Sequence, residues 1–257
     1  MVVIIPNSHF DSIRHVFDSH QYLRTVIEAI PKLTTGELWV DKIDNPTMAL
    51  YTIPGINFLA GTPDPHDIDN LLAKIHPKQS IFVPSSNTEW TCILKRYFGL
   101  RLGSFNRYAL SASSLRLNKI RTHKKDLPVG FYLLEVDAAI LNQIKDSIGY
   151  YIHLFFGDPE FFMVSGRGYC IKHDDKVISI ASSLVPFTTS LEIQVDTIDS
   201  PEYRRKGFAT RVTVEIIEYC LENNIEPHWD ADSTISRDFA VKLGYTDPQP
   251  YTCYYWA

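Results

Sequence analysis

From Leu191 to Thr197 the chain reads Leu-Glu-Ile-Gln-Val-Asp-Thr, alternating apolar or β-branched residues with polar ones, which is the period of a strand. From Phe208 the period becomes helical. Phe208, Val212, Ile216 and Cys220 form one stripe at four-residue spacing, Ala209, Thr213, Ile217 and Leu221 form its neighbour, and Arg211, Glu215, Glu218 and Glu222 lie on the far side. Asn223-Asn224 supplies a stop. Between strand and helix runs Tyr203-Arg204-Arg205-Lys206-Gly207-Phe208-Ala209-Thr210, a basic, glycine-containing turn. Such a turn presents backbone N–H groups at a helix N-terminus, where they have no intrahelical partner and the macrodipole adds roughly half a positive charge. A diphosphate is a natural ligand for that arrangement.

The same pattern reading organises the rest of the chain. Residues 141–150 read as helical, Ser165-Gly166-Arg167-Gly168 as a turn, and Asp174-Asp175 as the turn of a hairpin between 169–172 and 177–185. In the first half, 10–30 reads as a helix, and 37–41, 47–53 and 56–60 as strands with Pro54-Gly55 as the turn between the last two. A helix over 65–75, a strand over 80–83, a capped helix over 87–97 ending at Gly99 and a strand over 102–111 follow. This order of hairpin, helix, strand, helix, strand parallels the second half, without a matching R-x-x-G-x-A turn. The expected division is an α/β region over 1–115, a basic connector over 116–128 and a second domain over 129–257. The first region is either a degenerate copy of the second or an unrelated α/β cap. Arg116, Lys119, Arg121, Lys124 and Lys125 make the connector basic, either as a solvated link or to steer phosphates.

Arg204, Gly207 and Ala209 occupy the three signature positions of (Q/R)-x-x-G-x-(G/A), motif A of the GNAT superfamily of acyltransferases, which this segment resembles. Downstream, Pro227-His228-Trp229-Asp230-Ala231-Asp232 reads as the next strand. The helix from Ser236, ending in Lys242-Leu243-Gly244-Tyr245, is similar to the family's last helix. The resemblance implies an α/β (α+β) GNAT fold, a mixed, mostly antiparallel sheet flanked by helices, with a degenerate GNAT-like half at the N-terminal side. It also implies transfer of an acetyl group from acetyl-CoA to a small-molecule or peptide amine, directly in a ternary complex and without a metal. Around the pyrophosphate it places Arg204, Arg205, Lys206, Gly207, Phe208, Ala209 and Thr210. The main chain of Val195 and Thr197 would pair with the pantetheine arm as an added strand. Ser233 stands where many members carry an asparagine near the coenzyme, and Ser236 is one group able to approach the sulfur. Ala240 replaces the tyrosine that often protonates the leaving thiolate, which keeps open a second class, a non-catalytic acyl-CoA binding or sensing protein.

An amine with a pKa near 10.4 is almost wholly protonated at neutral pH, so transfer to it needs a base. Glu192 is the first candidate, because Glu192, Gln194 and Asp196 share one face of a central strand and polar groups there need water or a cleft. The alternative is that Glu192 pairs with an arginine or lysine structurally. Asp230 and Asp232 are weaker candidates for the base, for holding a cationic substrate or for capping the next helix.

Composition narrows the function classes. The 257 residues, 45% hydrophobic, suffice for one or two cores, and 25 basic against 30 acidic residues give a net charge of -5, which argues against nucleic acid as partner. The start Met1 to Pro6 lacks the features of a signal peptide and no apolar run approaches a membrane span, so the expected compartment is the cytoplasm. Cys92, Cys170, Cys220 and Cys253 form no C-x-x-C pair and read as reduced, mostly buried thiols. Serine-elbow, P-loop and H-E-x-x-H patterns are missing, and Cys170 with His173 is at most half a metal site. Both monomer and homodimer are compatible with a tandem chain.

Overall fold

The computed structural model describes residues 2–85 and 88–257. They fall into two compact units, Met1–Ala109 with Gln249–Ala257, and Leu110–Pro248. The expected boundaries differ at both ends. The second unit opens at Leu110, and the last nine residues return to the first.

The first unit holds β1 (Val3–Ile5), α1 (Phe10–Ile13), α2 (Arg24–Ala29), β2 (Glu37–Val40), β3 (Met48–Ile53), β4 (Ile56–Gly61), α3 (Ile68–Leu72), β5 (Ser80–Phe82), α4 (Thr88–Phe98) and most of β6 (Leu102–Ser111). Strands β1 to β4 are antiparallel neighbours, and β4 runs parallel to β5. Beyond β5 lies the returning C-terminal strand, which pairs with it antiparallel through Tyr254 and Ile81. Aromatic residues anchor that strand. Tyr251 stacks on Tyr22 at 4.1 Å, and Trp256 stacks on Phe98 at 5.3 Å while its indole N–H donates to Ile75 O at 3.1 Å.

The expected helix over 10–30 is instead α1, α2 and short 3-10 turns, with Leu23 at a left-handed φ of 52° between them. The break seats His20 in the core, where Nε2–H donates to Leu59 O at 2.7 Å. Only Ile68–Leu72 of the segment 65–75 is helical, two prolines at 63 and 65 having displaced its start. The expected cap Asn87 lies outside the described residues.

The second unit holds α5 (Leu117–Arg121), β7 (Phe131–Glu135), α6 (Ala138–Ile144), α7 (Tyr151–Phe156), α8 (Pro159–Ser165), β8 (Gly168–His173), β9 (Lys176–Ser183), β10 (Ser190–Thr197), α9 (Phe208–Glu222), β11 (Glu226–Ala231), α10 (Thr234–Leu243) and the start of β12 (Thr246–Trp256). Its strands lie in the order β11, β10, β9, β8, β7, antiparallel except for β10 with β11. Helix α9 packs on β8 to β11 with Phe208, Val212, Ile216 and Cys220 buried, as its stripe predicts. Segment 141–150 is only partly helical, because α6 is capped early by Asp137 and Gly149 turns at φ +80°. Phe161 and Phe162 sit inside α8, which leads through a short turn into β8.

The connector is exposed over much of its length but is docked on α9 at two of its cations. Residues of α5 and the turn after it pack on the charged side of α9, with Arg121 paired to Glu218 and Glu222 at 2.6 Å each and Lys124 paired to Glu215 and Glu218. The polar stripe of α9 faces cations of its own chain.

Candidate active site

Three consecutive residues of β10, Ser190 to Glu192, pair with Glu226 to His228 of β11. Beyond Glu192 the two strands part, while β10 stays paired with β9 as far as Thr197. Main-chain direction alternates along an antiparallel strand. Glu192 O accepts from Leu184 N–H and Ile198 N–H donates to Ile178 O, so the even-numbered residues face β9. Val195 and Thr197 therefore turn their main-chain groups toward the side that β11 has left. The Thr197 hydroxyl is bonded to Ser179 Oγ at 2.8 Å, which leaves its backbone as the part that reaches the opening.

At the end of the following loop, Gly207 caps α9 at φ +86°, with no side chain bonded to the cap. A Cβ placed on Gly207 would meet no atom within 4 Å, so the backbone angle requires glycine and the space before the helix is open. Arg205 is also left-handed, at φ 60°. Arg204, Arg205 and Lys206 are exposed, and Arg204 Nη1 is held by Asp199 at 2.8 Å. Phe208 offers only its backbone, since its ring is buried against Phe131 at 4.8 Å, and Phe131 in turn stacks on His173 at 4.1 Å. Ala209 and Thr210 are half-buried in the first turn. Two serines take structural duties. Ser233 Oγ caps α10 by accepting from Ser236 N–H, and Ser236 Oγ accepts from the Trp229 indole at 3.2 Å.

The even residues of β10 lie on the face toward α7, where Tyr151 OH meets Ser182 Oγ, opposite Gln194. Glu192 departs from the expected water-lined place. Its side chain is 3% exposed, and both oxygens are bound: His228 Nδ1–H donates to Oε2 at 2.5 Å and Asp230 N–H to Oε1 at 3.1 Å. Burial acts to lower the His228 pKa, but the charge and hydrogen bond of Glu192, with Asp230 and Glu226 adding, carry it up to about 9. Asp196 is half-buried and its pKa is raised, first by burial and further by Asp232, against one hydrogen bond from Gly149 N–H.

His228 was not singled out from the sequence. Its signal is the pairing of β10 with β11, which no single segment carries. Cys170 and His173 do not assemble a metal site: burial pushes the Cys170 thiol up to about 12, and His173 is engaged with Phe131 and the Tyr203 hydroxyl.

The family model for GNAT acetyltransferases matches residues 14–254. The chain belongs to the GNAT acetyltransferase family. It is similar to the uncharacterized N-acetyltransferase YdfB of Bacillus subtilis, 26% identical over 96% of this chain and 95% of that protein. A solved GCN5-related N-acetyltransferase-like protein from Streptococcus suis is 25% identical over 98% of this chain and 100% of its own, with a TM-score of 0.82. A tandem GNAT protein from the clavulanic acid biosynthesis pathway shares the fold at 11% identity, with a TM-score of 0.59 over 100% of this chain and 98% of its own. This GNAT chain is an acyltransferase. Among its described residues no helix is long and apolar enough to cross a membrane.

Proposed function

We propose that the second unit moves an acetyl group from acetyl-CoA to a cationic amine, directly within a ternary complex. The observation that carries this reading is the parting of β10 from β11 beside an open helix N-terminus. Val195 and Thr197 supply an unpaired strand edge for the amide-bearing pantetheine arm, and the α9 amides with Arg205 and Lys206 supply charge for the diphosphate. The acceptor enters from the face of Asp196, Asp230 and Asp232, whose charge favours an ammonium over a neutral alcohol.

The first unit is, on this reading, a degenerate copy. Its β4 and β5 also pair in parallel over three residues, Ile56–Phe58 with Ser80–Phe82, and Thr62 N–H bonds to Thr47 O, so Leu59 and Gly61 face the β5 side. Both carbonyls are already used. Leu59 O accepts from His20 at 2.7 Å and Gly61 O from the Trp90 indole at 2.9 Å.

Calorimetry with acetyl-CoA, CoA and ATP, followed by thiol release with a panel of primary amines, tests the proposal. Binding of both coenzyme forms but not ATP, with amine-dependent thiol release, is the expected result. Tight binding with no turnover on any amine would instead point to sensing, in keeping with the buried Ala240.

A further inference from the structure

Resting on the acetyl-transfer reading, we propose that His228 is the catalytic base of the site and that Glu192 is its positioning residue. Four observations lead there. The pair sits at the last paired rung of β10 and β11, where the cleft opens. Glu192 is 3% exposed and engaged at both oxygens by His228 and the Asp230 main chain, so solvent hardly reaches its carboxylate, whereas the His228 side chain is 21% exposed. The hydrogen bond of Nδ1–H to Oε2 sets the tautomer, leaving Nε2 as the proton-accepting atom.

The fourth observation is internal to the chain. The same rung of the first unit, Phe58 with Phe82, is a stacked aromatic pair with ring centroids 5.2 Å apart. The fold holds that place without charge, and a buried charge pair is costly to desolvate. Its presence in the unit with the open cleft, and its absence from the unit with the filled one, follows function rather than packing.

The bound ammonium first yields one proton to neutral His228 Nε2, which releases it to water, and as the new carbon–nitrogen bond forms Nε2 accepts the second proton that the amine nitrogen sheds. The carbon–sulfur bond of the thioester breaks, its electron pair leaves on sulfur, and the imidazolium returns the proton to that thiolate. Proton and electron pair both balance without an outside reagent. The charged groups facing His228 are Glu192 from β10 and Asp230 and Glu226 from its own strand, and together they set its titration near pH 9. That value suits the removal of a proton from an aliphatic amine, whose own pKa lies about one to two units higher.

The test measures thiol release from acetyl-CoA with the fastest amine of the panel at saturating concentration, alongside acetyl-CoA affinity by calorimetry. His228→Gln is expected to lower kcat on the order of 100-fold while leaving coenzyme affinity within about threefold. Glu192→Gln should move the alkaline midpoint of kcat down from about 9 toward the ordinary histidine value, and Glu192→Asp should restore part of it. Because breaking a buried pair can unfold the site, the double change Glu192→Phe with His228→Phe copies the first unit's rung and should keep coenzyme binding while losing turnover. The inference is overturned if His228→Gln keeps its rate, if the midpoint stays put in Glu192→Gln, or if Asp196→Asn alone removes it. A wild-type protein that binds acetyl-CoA yet acetylates nothing defeats the transfer reading itself, a separate outcome from normal wild-type turnover with an indifferent His228.

Discussion

At the residue scale, Gly207 is needed for its backbone angle and for the space it leaves. Gly207→Ala puts a Cβ on a left-handed residue, a strain of about 1–2 kcal/mol, and aims it into the open region before α9. The expected outcome is a fall of roughly tenfold or more in acetyl-CoA affinity by calorimetry, with the fold intact by circular dichroism. His20 and His228 pull the pH dependence of stability in opposite directions. Burial holds His20 down at about 4, so in the folded state it stays neutral while the unfolded chain protonates from 6.5 downward. Its contribution is lost as pH falls from 6.5 to 4, a loss of roughly 3 kcal/mol. His228 is raised to about 9, so its contribution is complete below 6.5 and is lost as pH rises through 9. Thermal melts across pH should show His20→Gln flattening the acid limb and Glu192→Gln flattening the alkaline one.

At the element scale, the two parallel strand pairs are used in opposite ways. The β10 and β11 pair opens onto α9, a 15-residue helix with a glycine cap, whereas the β4 carbonyls on the β5 side are occupied by His20 and by Trp90 of α4. The chain should therefore bind one acetyl-CoA, and a calorimetric stoichiometry of two would reject the filled slot. Trp90→Ala should lower stability by about 3–5 kcal/mol, because a fully buried indole and its hydrogen bond are both lost. Strands β2 and β6 and helix α9 were legible from periodicity, and the nearly all-buried β3 and β9 from short apolar runs bounded by turn residues. The helix expected over 10–30 was not, since its end is decided by a bond from His20 to a strand 39 residues away. The docking of the connector was not legible for the same reason, Arg121 and Lys124 being matched by the acids of α9.

At the scale of the whole molecule, the C-terminal strand belongs to the first unit. Removing Gln249–Ala257 takes away the partner of β5 and the Tyr22 and Phe98 stacking contacts. Limited proteolysis of the truncated chain is expected to cut within 1–109 first; equal resistance of that segment would show that the strand is dispensable. By itself the sequence determined the glycine-capped turn before α9, the helix after it, the family and the repeated order of elements, because each is written in adjacent residues with a local period or cap. Only the tertiary structure decided that Glu192 is buried against His228, that the first unit's slot is filled and that the last strand changes units. Those depend on which distant segments share a rung, a carbonyl or a sheet edge, and while a local pattern tells which face of a strand is buried, it does not name the distant segment that the strand meets.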